Sequence, residues 1–168
     1  MLGGLTERGR TPLVVVAGNL TGKRYRDEII QRYVIPCIQS QVNNVTFHQD
    51  NATPHVVGVV RDYLTQQNVD VLPWPTVLAY LSPIEHVWDK MERRLRHLQN
   101  QQMTLEEMSP ALIRIWNNIR QAFLIHLLNQ CVAVVKPSSL KRWTYTLLSL
   151  LMSRRPLCCS KHLPNEFK

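Results

Sequence analysis

Acidic side chains almost vanish from this sequence after Pro110. Up to that residue eleven Lys and Arg stand against eleven Asp and Glu; from Ala111 onward nine basic residues meet one acid, Glu166. The net charge of +8 therefore belongs to the last third of the chain. A basic balance points to a polyanion such as nucleic acid, and here that argument reaches only the C-terminal third. Paired cysteine motifs are also missing. Cys37, Cys131, Cys158 and Cys159 show no C-x-x-C spacing and no companion His pair. They read as reduced thiols of an intracellular protein. The N-terminus, MLGGLTERGR, has no apolar core of a secretory signal. No apolar run reaches the ~20 residues of a membrane helix. AFLIHLLNQCVAVV and WTYTLLSLLM are too short, and the first is too polar. With no internal repeat and no low-complexity tract, the chain reads as soluble and without a membrane partner.

What is present suffices for one domain: 168 residues, 45% of them hydrophobic. TPLVVVAGN (11–19) is an apolar β-branched run closed by Gly-Asn and reads as a buried strand. YRDEIIQRYVIPCIQSQ places Ile29, Ile30, Tyr33, Val34 and Cys37 at helical spacing, with Pro36 set to kink or end the helix. VTFHQD alternates as a second strand. PHVVGVVRDYLTQQ returns to a helical period, and VDVLPWP reads as a third strand stopped by prolines. SPIEHVWDKMERRLRHL is the best-defined helix, with Ile84, Trp88, Met91, Leu95 and Leu98 on one face. A second helix start, TLEE (104–107), precedes ALIRIWNNIRQAFLIHLL. Strand–helix alternation of this kind predicts an α/β layer fold with a largely buried sheet.

Two carboxylates carry the candidate chemistry. Asp50 follows the second strand and Glu85 lies on the first turn of the helix after the third, with thirty-four residues between them. The carboxyl ends of strands in an open α/β sheet are where ligands bind. Hard oxygen ligands converging there suit a divalent cation, and paired cations activate a nucleophile and stabilise a leaving oxygen at a phosphodiester. Plainer roles compete on the residues alone. Ser82-Pro83-Ile84-Glu85 has the pattern of a capping box, and Asp50-Asn51 suits an Asx turn.

Four stretches closely resemble the catalytic domain of the Tc/mariner transposases: TPLVVVAGNLTGKRYRDEII, FHQDNATPHV, VDVLPWP and LSPIEHVWDKMERRL. They occur in that family's order and spacing, over about Leu2 to Phe123. The resemblance implies an α/β, ribonuclease-H-like mixed sheet flanked by helices, and an Asp-Asp-Glu triad whose second and third members map onto Asp50 and Glu85. It implies Mg²⁺ or Mn²⁺, DNA at transposon ends as partner, no small-molecule substrate, a nuclear location (otherwise cytosolic) and an assembly compatible with a homodimer. The intact enzymes cut DNA strands and transfer them, in DNA transposition and integration. Here the chain starts downstream of the family's first strand, which bears the first triad Asp, and of its helix-turn-helix units. The expectation is a fold lacking its first strand, with weak metal binding and no strand cleavage. Thr53 stands where the family usually has a basic residue, and VLAYLSPIE where it usually has Ser-Pro-Asp-Leu before Pro-Ile-Glu.

The remaining candidates have structural readings. His55 reads as a polar residue on a first helical turn, with phosphate contact as the alternative. Asp89 and Glu92 are expected to pair with Arg93 and Arg96. Lys23, Arg24 and Arg26 read as a solvated charge run rather than a DNA contact. Trp74, Trp88 and Trp116 read as packing residues. The expected division is a partial catalytic domain over 1–125 and a basic tail over 126–168. Lys136, Lys141, Arg142, Arg154, Arg155 and Lys161 in that tail offer the alternative function: a non-catalytic remnant holding nucleic acid or a protein.

Overall fold

The computed structural model of this protein describes residues 1–40, 45–72, 82–98, 105–135 and 143–149. Its five strands are β1 (Leu2–Thr6), β2 (Gly9–Arg10), β3 (Thr46–Gln49), β4 (Asp70–Val71) and β5 (Trp143–Ser149). They form one mixed sheet in the order β2-β1-β5-β3-β4. β1 is antiparallel to both β2 and β5, whereas β3 is parallel to both β5 and β4. The middle position thus belongs to a strand from the C-terminal region, paired Leu2↔Ser149 through Leu5↔Thr146 on one side and Thr46↔Trp143 through Gln49↔Leu147 on the other. That strand comes from the stretch expected to be a tail.

Helices cover both faces, as a sheet with parallel pairs requires. On one face lie α1 (Gly22–Arg24), the π-helix Tyr25–Val34, α2 (Ile35–Gln39), α3 (Thr53–Val56) and α4 (Gly58–Gln66). Ile29, Ile30, Val34, Val60 and Leu64 pack there with Leu2 and Phe47. On the other face α5 (Pro83–Leu98), α6 (Leu105–Asn117) and α7 (Gln121–Val135) bury Ile84, Trp88, Met91, Leu95, Trp116 and Leu124 against Leu5 and Leu13. Leu2 and Leu5 are an odd number apart, so the pleat sends them to opposite cores. Trp88 and Trp116 stack at 5.5 Å between centroids, which accounts for both as packing residues. Trp74 lies outside the described residues. The division expected at 125/126 falls within α7.

Several elements differ from expectation. Residues 11–19 form no strand; Val14 makes a lone bridge with Leu2. Thr11 explains this, because its Oγ1 accepts the Gly4 N–H at 2.8 Å and its own N–H donates to Gly4 O, while Trp116 Nε1 donates to Thr11 O. A side chain thereby takes a ladder bond, and the regular pairing is interrupted until Val14 and Leu2 exchange backbone bonds. Pro36 does not end its helix. The helix widens to i→i−5 bonding just before it, with Ile35 N–H on Ile30 O, and runs on to Gln39. The helix expected from Pro54 onward breaks at Val57, whose ψ of 151° is extended. ALIRIWNNIRQAFLIHLL is two helices, divided at Asn118–Arg120. There the Arg10 guanidinium donates to the carbonyls of Trp116 and Ile119, the latter at 2.6 Å, and so holds the end of α6. Of VDVLPWP only Asp70 and Val71 are seen as strand; residues 73–81 lie outside the described part.

Candidate metal centre

β3 ends at Gln49 and delivers Asp50 to the carboxyl edge of a parallel β4-β3-β5 trio. Asp50 keeps its side chain 24% exposed. Its Oδ1 accepts the Ala52 N–H at 3.1 Å, which is the Asx turn that the Asp-Asn pair suggested. The same oxygen meets His55 Nδ1. A carboxylate has no proton to give, so the imidazole donates. The Asx turn and a ligand role do not compete, because Oδ2 is not used by that turn.

His55 is fully buried, not a surface residue near phosphate. Its ring stacks on Tyr25 at 4.0 Å and 27°. The Tyr25 hydroxyl donates to Gln49 Oε1 at 2.9 Å, and Gln49 Nε2 donates to the His55 carbonyl at 3.0 Å. Tyr25, Gln49 and His55 therefore close a polar ring behind Asp50. The motif FHQDNATPH held His55 and Gln49 in plain view, but nothing in its pattern tied them to Tyr25. A buried tyrosine needing a hydroxyl partner was the available signal.

Glu85 sits on the first turn of α5. Burial raises its carboxyl above the ordinary range, and the charge of Asp50 raises it further. The two carboxylates thus feel each other across the site. Glu85 N–H donates to Ser82 O at 3.0 Å, whereas buried Ser82 Oγ finds no partner among the described residues. The hydroxyl half of the capping box is thus not formed here. His48, on β3 beside the site, is pushed down to about 4 by burial, against an upward pull from Asp50. It is neutral at pH 7.

Charges elsewhere are consumed locally. Arg93 pairs with Asp89 at 2.6 Å and Arg96 with Glu92 at 2.5 Å, on exposed turns of α5. Arg24 pairs with Glu28 and also donates to the carbonyls of Ala17 and Asn19, while Arg26 pairs with Asp27. Two of the three basic residues, on α1 and the start of the π-helix, are thus held in local ion pairs. Lys136, Lys141, Arg142, Arg154, Arg155 and Lys161 lie outside the described residues.

As a donor set, Asp50 and Glu85 fit one hard divalent cation completed by water. Among the described residues no group of three or more His, Cys, Asp or Glu side chains converges as a metal site.

Comparison with known proteins follows this geometry. Residues 1–109 match the family described as DDE superfamily endonuclease. The Tcb1 transposase of Caenorhabditis briggsae is 28% identical over 127 residues, covering 74% of this chain and 46% of that protein. The Tc1 transposase of Caenorhabditis elegans is 38% identical over 58 residues, or 34% of this chain and 21% of that protein. The chain thus spans less than half the length of these relatives. The crystal structure of the catalytic domain of Mos1 mariner transposase superposes with a TM-score of 0.58 at 24% identity, over 73% of this chain and 65% of that one. A structure of the same domain with raltegravir and Mg gives 0.54 at 25%, over 70% and 64%. A further one was solved with Mn. The ribonuclease-H-like sheet, the paired carboxylates and these matches lead to one conclusion: the chain belongs to the DDE superfamily endonucleases, with the fold of a Tc/mariner transposase catalytic domain.

Proposed function

We propose that Asp50 and Glu85 are two ligands of a divalent-cation site of the kind that hydrolyses DNA strands and transfers them in transposition, and that this chain alone does not cleave DNA. A cation of the Mg²⁺ or Mn²⁺ type held there supplies Lewis-acid activation of a phosphodiester and of its attacking hydroxyl. Asp50 contributes from the end of β3, Glu85 from α5, and burial excludes bulk water behind them. DNA is the partner and the nucleus the place of action on this reading.

The observation that carries the inactive part is β5. It runs parallel to β3 at the heart of the sheet, with Leu147 in register with Gln49, yet its sequence WTYTLLS holds no carboxylate. A third acid from the neighbouring strand would bridge two cations; two carboxylates leave a cation pair with too little negative charge. The expected result is no Mg²⁺- or Mn²⁺-dependent nicking of supercoiled plasmid by the purified chain. Nicking that disappears in Asp50→Ala and Glu85→Ala would overturn the inactivity.

A further inference from the structure

We propose that His55 is a positioning residue for Asp50, fixing its Oδ1 so that Oδ2 alone is offered to a divalent cation. This rests on the cation-site reading above. Oδ1 is engaged by two donors, the Ala52 N–H and His55 Nδ1. His55 is itself held from three sides: its ring lies on Tyr25, its backbone carbonyl accepts from Gln49 Nε2, and its backbone N–H donates to Ala52 O at 2.8 Å. Among the described residues His55 Nε2 is buried without a partner, so the nitrogen aimed at Asp50 is the one the site uses.

A carboxylate free to rotate presents either oxygen, or both, to a cation. One whose Oδ1 is doubly bonded presents a single lone-pair set in a fixed direction, and such outer partners commonly change metal affinity 10–100-fold. Asp50 is therefore a monodentate ligand through Oδ2, and His55 acts through it without touching the cation.

Two substitutions separate this role from packing. His55→Phe keeps a ring on Tyr25 and loses the donor, at no cost to Nε2. His55→Asn loses the ring and places its amide N–H near the position of Nδ1. Mn²⁺ binding by the full chain, followed from the loss of the free-ion electron paramagnetic resonance signal, reads the difference, with Asp50→Ala as the reference for a lost ligand. His55→Phe is expected to bind at least about tenfold more weakly than wild type while melting cooperatively. His55→Asn is expected to recover most of the affinity, even where it melts lower. Equal affinity in His55→Phe and wild type overturns the positioning role and leaves the cation site standing. So does His55→Asn failing together with His55→Phe, since a donor restored near Nδ1 would then not restore the ligand. Wild type binding Mn²⁺ no better than Asp50→Ala overturns the cation site itself and this role with it.

Discussion

At His48 and Glu85 burial works on opposite sides of neutrality, and the two respond to pH in different windows. The folded value of His48, about 4, lies below the ordinary 6.5. Its contribution to stability is therefore complete above about pH 6.5 and is lost as the pH falls toward 4. A shift of that size corresponds to about 3 kcal/mol. Urea unfolding at intervals from pH 7 to pH 4, in chelator-treated buffer, should show this fall, and His48→Leu should have a shallower slope; parallel slopes would rule it out. Glu85 runs the other way. Its folded value is raised, so the stability it contributes is complete below about 4.5 and is lost as the pH rises through the folded value. Glu85→Gln should therefore raise the melting temperature of the metal-free protein at pH 7 and leave it nearly unchanged at pH 4. The same variant should lose any melting shift caused by Mn²⁺. A lower melting temperature at pH 7 would mean that the carboxylate is held by partners rather than penalised by burial and by the charge of Asp50.

Between elements, single atoms decide how the pieces meet. A Cβ on Gly22 would lie 2.1 Å from Val57 Cγ2, where α1 crosses the break between α3 and α4. Gly22→Ala should cost about 1–3 kcal/mol, the usual range for overpacking, and Val57→Ala in the same chain should return part of it. Denaturant melts of the two variants test this; additive losses would refute the contact. Arg10→Met removes both donors at the end of α6 and should cost on the order of 1.5–3 kcal/mol, the range for hydrogen bonds to a charged group. The same elements show what the sequence could tell. Periodicity located α5 to the residue, because it buries a regular face, and the β-branched and aromatic start of VTFHQD located β3 almost as well, although all four of its residues are buried. Periodicity failed at residues 11–19, where one hydroxyl on Gly4 N–H interrupts a ladder that β-branched composition would extend. It failed again at Asn118–Arg120, since the group that ends α6 is an arginine more than a hundred residues away. Asp50 and Glu85 were legible as candidate ligands from their strand-end and helix-start positions, and the family's motifs favoured that role over a turn and a capping box; the burial that raises the Glu85 carboxyl is a property of the fold. The ring of Tyr25, Gln49 and His55 was not legible, because it joins three elements through polar atoms that leave no period.

Across the whole molecule, β5 is what makes one sheet out of two halves. β2-β1 and β3-β4 do not touch each other as strands; each meets only β5. A chain ending at Val135 should lose cooperative unfolding, seen as a broad calorimetric transition, whereas Lys161→Ala or Arg154→Ala in the full chain should leave the transition sharp. This matters for the nucleic-acid alternative, since deleting residues 131–168 to remove the basic cluster would also remove the sheet's middle strand. Loss of DNA binding in that deletion would then report unfolding, and charge substitutions are the cleaner probe. The same strand also sets a clock. Leu2 is synthesised 147 residues before its partner Ser149. At typical synthesis rates of about 5–20 residues per second, β1 waits roughly 7 to 30 seconds with one edge unsatisfied. During that interval the nascent chain offers an open strand edge to anything nearby, so aggregation or chaperone capture competes with folding before the sheet is whole.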